Sequence, residues 1–113
     1  MTALPIGAAV LDVAARTLTG PDRTVRLTAQ PARLLACLAE RAGRMVPHAD
    51  LVASLHDPYG RAGVRLMQDN LGHVRRALRA SGSGAVATAI HGVGVRLRVP
   101  EGDTAAKRSG KAA

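Results

Sequence analysis

Hydrophobic positions between residues 63 and 81 repeat with the period of an α-helix. Four of them are spaced four, three and four positions apart, which places them on one face: Met67, Leu71, Val74 and Leu78. The opposite face then carries mostly polar residues, namely Arg65, Asp69, Gly72 and Arg76, flanked by Arg75 and Arg79 on one side and by His73 on the other. We therefore predict a helix over about 62–80 with one face to bury and one basic face to present.

Two shorter helical patterns precede this helix. Thr28 is a suitable N-cap for the first, Pro31 falls within its first turn, and Gly43 is a suitable stop. The predicted inward residues of this helix are Leu34, Leu35, Leu38 and Ala42. The second helix is predicted from Pro47 to His56, with Leu51, Val52 and Leu55 facing inward. Residues 44–46 between the two helices are predicted to be a short extended link.

Residues outside these helices favour β-structure. Residues 3–27 lack a helical period and predict three or four short antiparallel strands, including 9–13, 16–19 and 24–27. The sequence SGSG at 81–84 ends the long helix, and the stretches 85–90 and 93–99 predict a hairpin with glycines in its turn. The order predicts an α+β fold, a winged helix-turn-helix with a small N-terminal antiparallel sheet, three helices and a C-terminal β-hairpin wing.

The chain length of 113 residues suits a single core. We predict a domain over 1–100 and a disordered basic tail over 101–113, because the tail has no apolar period. The basic residues of the tail, Lys107, Arg108 and Lys111, either touch phosphates weakly or are simply solvated.

Charge and aromatic content indicate the class of partner. The formal net charge of +8 and the pI of about 11.5 are typical of proteins that bind a polyanion, most often nucleic acid. Aromatic residues make up only 1% of the chain, whereas modules that bind single strands or RNA stack bases on aromatic rings. A ribosomal or membrane-surface partner is compatible with the same charge, but double-stranded DNA, which is read by arginine and helix geometry, fits the composition better.

Other functional classes are disfavoured by the sequence. Cys37 is the only cysteine and lies in an apolar run, so we interpret it as a small core residue. His48 and His56 lack metal-ligand spacing with each other or with Cys37, so neither a metal nor a cofactor is expected. No nucleophile, base and acid converge and no phosphate-binding loop is present, so an enzyme is not expected. Without a signal peptide or a membrane span, we expect a cytoplasmic protein of the nucleoid with no membrane partner.

Four segments of the chain carry a resemblance to a known family. Residues 27–28 with 33–35 match its L-T-x-x-E-F-x-L-L opening, and residues 43–46 with 51–52 match G-R-V-V-S-R-E-x-L-L. Residues 65–78 match R-x-V-D-V-H-I-x-R-L-R-x-x-L without a gap, and residues 90–97 match the wing motif V-R-G-x-G-Y-R-L. Over roughly residues 4–99 the chain resembles the OmpR/PhoB-type winged-helix DNA-binding domain, the effector domain of many bacterial response regulators.

The sequence departs from the family pattern in its core and on its recognition surface. Pro31 and Ala32 replace a Glu-Phe pair, His56 replaces a Trp and Val95 replaces the wing Tyr, so we expect a core rebuilt from aliphatic residues. Four recognition positions also differ from the family, which implies a different DNA preference: Asp69, Asn70, His73 and His91. No receiver domain precedes the motifs, so the resemblance implies a free-standing DNA-binding protein.

We expect the helix at about 62–80 to lie in the major groove and the wing at about 85–99 to enter the adjacent minor groove. Phosphate contacts are assigned to Arg65, Arg75, Arg76 and Arg79. For Arg79, a solvated arginine favoured by the helix dipole is the alternative. Base contacts are assigned to Asp69, which can accept from cytosine N4, and to His73, which can donate to guanine. An ion pair of Asp69 with Arg65 or His73 is the alternative.

The remaining candidate DNA-binding residues complete the predicted surface. Asn70 is assigned to the same helix face, and Gly72 either lets the backbone approach the DNA closely or has no role. His91 at the hairpin tip is assigned to the minor groove, with a merely exposed turn histidine as the alternative. Arg96 is assigned to the DNA backbone beside it.

Three functions are compatible with these features. The first is a sequence-specific transcription regulator, with two or more copies, as a homodimer or in tandem, bound to direct repeats. The second is an architectural, nucleoid-associated protein of low sequence specificity. The third is a winged helix that binds protein, with RNA polymerase as the candidate partner. The resemblance implies that His56 with the loop 57–63 is the candidate contact.

Overall fold

The computed structural model describes residues 3–56 and 63–99, in which strands precede and follow a group of helices. The first four strands are β1 (Ala3–Ile6), β2 (Ala9–Asp12), β3 (Thr17–Thr19) and β4 (Thr24–Arg26). The later elements are α1 (Ala29–Glu40), β5 (Met45–Pro47), α2 (His48–Ser54), α3 (Val64–Ser81), β6 (Val86–Ile90) and β7 (Gly94–Arg98). The predicted α+β winged-helix architecture is confirmed.

The first four strands form an antiparallel sheet in chain order. Apolar side chains on one face of this sheet are buried against α1 and α3: Ile6, Ala9, Leu11 and Leu18. Alternate positions such as Val10 and Asp12 are exposed, as the period of a strand requires. The sheet therefore serves as a platform on which the helices are held.

The helices close the core with aliphatic side chains. Leu34, Leu35 and Leu38 of α1 are fully buried, as are Leu51 and Leu55 of the α2 region. Thr28 occupies the N-cap position of α1 but makes no side-chain capping hydrogen bond. The prediction that Ala42 faces inward is wrong, because α1 ends at Glu40 and Ala42 lies exposed in the following turn. Val52, predicted to face inward, is half-buried.

The link between α1 and α2 contains a strand that the sequence did not predict. Met45–Pro47 forms β5 and pairs with β7, so the wing hairpin belongs to a three-stranded antiparallel sheet in the order β5-β7-β6. Gly94 is the first residue of β7, where a Cβ atom would overlap the Val46 carbonyl oxygen. The turn is formed by residues 91–93, with Gly92 at a φ of +73°.

Residues 81–84 were predicted as a break and instead attach the end of α3 to the first sheet. Ser83 Oγ donates to the Ile6 carbonyl at 2.6 Å, and the Ser83 carbonyl accepts from the Ala8 N–H at 2.9 Å. The Ser81 carbonyl accepts from the Asp22 N–H at 3.0 Å. A Cβ at Gly7 would overlap the Ser83 carbonyl, and one at Gly20 would overlap that of Ser81. We call residues 81–84, together with Gly7 and Gly20, the serine–glycine junction.

Some predictions lie outside the described residues. These are the turn at 57–60, the start of the long helix at 62 and the tail at 101–113, so the division into a domain and a tail stays a prediction. Within the described ranges, no helix combines the length and the apolar character that crossing a membrane requires.

Candidate nucleic-acid interface

The two faces of α3 are separated as the sequence predicts. The four hydrophobic residues spaced along one face, Met67, Leu71, Val74 and Leu78, are all buried in the core. The polar side chains of the other face are all exposed: Arg65, Asp69, His73, Arg76 and Arg79. Because the helix is held by its apolar face, its basic face is free to meet a ligand without loss of core packing.

Asn70 does not belong to the exposed face, and its assignment there is wrong. Only 6% of Asn70 is exposed, and its Nδ2 donates to Gln30 Oε1 at 3.2 Å and to the Leu66 carbonyl at 3.1 Å. Both hydrogens of this amide are therefore used inside the protein, where Asn70 joins the first turn of α1 to the middle of α3. A buried amide whose hydrogens are used in this way has no donor left for a base.

His73 and Arg76 contact each other one helical turn apart. Arg76 Nη2 lies 2.7 Å from His73 Nδ1, and both side chains are exposed. The two residues line a surface cleft between α3, β4 and the start of α1, together with Arg26 and Thr28. Arg26 was not among the predicted surface residues; the alternation of Thr24, Val25 and Arg26 was the signal that the arginine would point outward.

Arg75 connects the long helix to the wing. Its side chain is half-buried, and its Nε donates to the Ala87 carbonyl of β6 at 3.0 Å. Its two terminal nitrogens make no hydrogen bond to another residue in the described ranges and stay available to a phosphate. From the sequence, Arg75 was predicted only to bind phosphate. The hydrogen bond from Arg75 to β6 was not predicted.

Asp69 does not form the ion pair considered as its alternative role. Within residues 3–56 and 63–99, the single pair with oppositely charged atoms within 4 Å is Arg41–Asp50. Neither Arg65 nor His73 therefore neutralises the Asp69 carboxylate.

Gly72 is half-buried, and a Cβ atom there would meet only Arg76 Nη1, at 3.8 Å. No packing contact within the protein requires glycine at this position.

The wing carries its predicted residues on exposed positions. His91 lies in the turn that joins β6 to β7, and Arg96 lies on β7, where it pairs with Met45 on one side and Thr88 on the other. The Val93 carbonyl in this turn accepts from the His48 N–H at 3.1 Å. The tip of the wing is thus attached to the first residue of α2.

Cys37 and the histidines do not assemble a chemical centre in the described part of the chain. Burial raises the pKa of the half-buried Cys37 thiol, which favours its neutral form and agrees with a packing role. Within the described residues, no group of three His, Cys, Asp or Glu side chains lies close enough to hold a metal ion.

The fold and the exposed basic helix define a winged-helix nucleic-acid-binding domain. A family model described as the C-terminal domain of transcriptional regulatory proteins matches residues 22–97. The chain belongs to this family, the OmpR/PhoB-type effector domains, and is a DNA-binding transcription regulator. This family is a DNA-binding family, not a catalytic one. No curated protein sequence matches the chain.

Solved structures of several DNA-binding domains share this fold. The DNA-binding domain of E. coli CadC has a TM-score of 0.72 at 14% identity, over 88% of this chain and 94% of that one. The DNA-binding domain of E. coli CpxR has a TM-score of 0.68 at 20% identity, over 88% and 98%. The AdeR DNA-binding domain, solved in complex with an intercistronic region, has a TM-score of 0.69 at 16% identity, over 82% and 96%.

Proposed function

We propose that this regulator binds duplex DNA with α3 in the major groove and with the turn between β6 and β7 in the adjacent minor groove. The observation that carries the proposal is the division of α3 into a buried apolar face and an exposed basic face. An α-helix fits the major groove, where the edges of all four base pairs are distinguishable. The link between Arg75 and Ala87 holds the wing sheet beside the helix, so both elements approach the DNA as one unit.

Phosphate contacts are proposed for the exposed arginines around this surface. The set contains the predicted residues Arg65, Arg75, Arg76, Arg79 and Arg96, to which we add Arg26 because it shares a cleft with Arg76. Such contacts fix the register of the protein on the duplex and carry no sequence information directly. Arg79 lies in the last turn of α3, where the helix dipole also favours a cation, so its role in DNA binding needs the separate test below.

Base contacts are proposed for Asp69 and His73. The Asp69 carboxylate has no cationic neighbour within 4 Å among the described residues, so its acceptor oxygens remain available to a cytosine amino group. A carboxylate close to phosphates weakens binding by repulsion unless a base donates a hydrogen bond to it. Asp69 should therefore favour sites that place a cytosine amino group opposite it. His91 and Val93 at the wing tip are proposed to enter the minor groove, where Val93 offers an exposed apolar side chain.

The dependence of affinity on salt tests the proposed surface. For duplex DNA, the slope of log K against log salt concentration changes by about 0.9 for each phosphate that the protein ceases to neutralise. Arg65→Gln and Arg79→Gln should each lower the magnitude of the slope by about that amount if they hold phosphates. The matched control is Arg33→Gln, which removes the same charge at the α1–α2 surface, where Arg33 donates to the Leu55 carbonyl. Equal slopes for all three variants would contradict the proposed surface.

A footprint on genomic fragments separates regulation from architecture. A few sharply protected sites are expected for a sequence-specific regulator, whereas broad coverage would indicate an architectural protein. We propose that the protein acts on the nucleoid and that two or more copies occupy direct repeats. Binding to duplexes with one or two half-sites, followed by sedimentation, should then show a second copy only on the longer duplex.

RNA polymerase is proposed as a protein partner on the strength of the family resemblance. The candidate contact begins at His56, which is exposed and follows α2, and continues into residues 57–62, which lie outside the described residues. Retention of the regulator on immobilised polymerase, compared with His56→Ala, tests the contact. Equal retention would contradict a role for His56.

A further inference from the structure

The contact between His73 and Arg76 fixes where the imidazole carries its proton. The guanidinium group has five N–H donors and no acceptor, so in the 2.7 Å contact Arg76 Nη2 must donate and His73 Nδ1 must accept. A neutral imidazole has one donor nitrogen and one acceptor nitrogen, and the partner of one nitrogen determines the state of the other. With Nδ1 accepting, the proton lies on Nε2.

We propose that His73 recognises DNA bases as a donor-only group and that Arg76 is the positioning residue that imposes this state. The proposal rests on the placement of α3 in the major groove given above. With Nδ1 occupied by Arg76, Nε2–H is the only polar group that the ring can still offer to DNA. His73 therefore acts as a fixed donor and loses the freedom of a histidine to exchange donor and acceptor roles.

The neighbouring groups leave Arg76 as the partner of this ring. On α3 itself, Asp69 lies one turn before His73 and would draw the proton to the nearer nitrogen, but it lies beyond ion-pair distance. From β4 and the start of α1, Arg26 and Thr28 line the cleft without a hydrogen bond to the ring. Arg26 is also donor-only, so its approach would reinforce the same state.

A donor-only histidine predicts which bases are accepted. In the major groove guanine offers two adjacent acceptors, N7 and O6, whereas cytosine offers an amino donor. Adenine N7 and thymine O4 can also accept from a single donor, whereas cytosine has no acceptor in the major groove. His73 should therefore reject cytosine on the strand that it faces and favour guanine, which offers two acceptors. Asp69 is acceptor-only and lies one turn earlier on the same exposed face. The two positions thus present opposite hydrogen-bonding character to successive base pairs.

Nitrogen NMR of the imidazole tests the proton position without DNA. In mildly alkaline buffer, where histidine imidazoles are neutral, the wild-type spectrum should show His73 protonated on Nε2. Arg76→Glu replaces the donor by an acceptor at the same spacing, so the proton should move to Nδ1. Arg79→Glu is the matched control, because it reverses a charge on the same helix without touching His73. A wild-type ring protonated on Nδ1, or no shift in Arg76→Glu, would overturn the proposal.

Selection from a random duplex library tests the consequence for DNA. The wild type should select guanine over cytosine at one position by about 5-fold or more, and 7-deazaguanine there should weaken binding. Arg76→Glu should lose that preference and favour a base with an amino donor, while Arg79→Glu should weaken binding and keep the preference. An unchanged guanine preference in Arg76→Glu would refute the proposed role of Arg76 and leave the DNA-binding mode intact. A wild type that enriches no duplex would refute the DNA-binding mode as well.

Discussion

The carboxyl end of α3 and the exposed face of the same helix are constrained in opposite ways. At the end, Ser81 and Ser83 are fully buried, and their backbone carbonyls accept hydrogen bonds from Ala8 and Asp22 in the turns of the first sheet. On the exposed face, one side-chain contact joins His73 to Arg76, and the other polar side chains extend into solvent. Backbone contacts at its carboxyl end therefore fix the position of α3, whereas the exposed side chains that can contact a ligand can be substituted without disturbing that position.

This difference indicates how such a domain can change its DNA preference. Surface substitutions away from special contacts alter stability by about 0.5 kcal/mol or less, so the exposed face can vary with little cost. The serine–glycine junction cannot vary in this way, because Cβ atoms at Gly7 and Gly20 would overlap backbone atoms. We expect substitutions at the junction to affect folding first and substitutions on the face to affect binding first.

The largest effect is expected for Gly7→Ala. Gly7 has a φ of +59°, and its Cβ would overlap the Ser83 carbonyl, so the substitution combines backbone strain with a forced displacement of the α3 end. We expect a loss of about 3 kcal/mol or more in the free energy of unfolding, measured by urea denaturation.

Gly43→Ala is the matched control for this substitution. Gly43 has a φ of +85°, but nothing lies within 4 Å of the position that a Cβ atom would take there, so only the backbone strain of about 1–2 kcal/mol applies. The difference between the two variants isolates the contribution of the close approach. Equal losses would show that the junction is not tightly packed.

A smaller effect is expected for Ser83→Ala, which leaves the backbone of the junction intact. The substitution removes the donor to the Ile6 carbonyl and the acceptor of the Ala85 N–H, and leaves both groups buried. We expect a loss of about 1–3 kcal/mol in the free energy of unfolding. Ser54→Ala removes a half-buried contact to Leu51 within one helix and should cost less. A loss at Ser83 no larger than that at Ser54 would contradict the anchoring role of the junction.

The sequence predicted what depends on local periodicity. The spacing of Met67, Leu71, Val74 and Leu78 located the buried face of α3, and every one of these residues is in the core. Asn70 was misassigned because the family resemblance placed it among recognition residues. At 100° per residue it lies only about 60° from Met67, on the border of the buried face. Periodicity alone would have left it there.

Contacts between distant parts of the chain were not predictable in the same way. The sequence SGSG at 81–84 is typical of a loop, and nothing local indicates that Ser83 meets Ile6, which lies 77 positions away. The strand β5 has three residues, too few to show alternation, and its partner β7 lies far along the chain, where Arg96 pairs with Met45. The contact of Arg76 with His73 depends on rotamers that spacing permits but does not select.

The smallest effect is expected for Gly72→Ala, which sharpens the contrast between the two regions. The added Cβ would meet only Arg76 Nη1 at 3.8 Å, so nothing in the protein opposes it. Because alanine favours the helix over glycine by about 1 kcal/mol, the variant should be more stable by up to that amount.

The affinity of Gly72→Ala for duplex DNA tests whether the glycine allows the backbone of α3 to approach the DNA closely. If the backbone of α3 approaches the DNA at this point, Gly72→Ala should bind selected duplex more weakly despite its greater stability. Gln68→Ala is the control, because it changes another exposed residue of the same helix whose helix propensity is already close to that of alanine. A stabilised Gly72→Ala variant with unchanged affinity would contradict the close approach. It would also show that glycine at position 72 lowers stability without strengthening binding, whereas Gly7 and Gly20 of the junction are required by close backbone contacts.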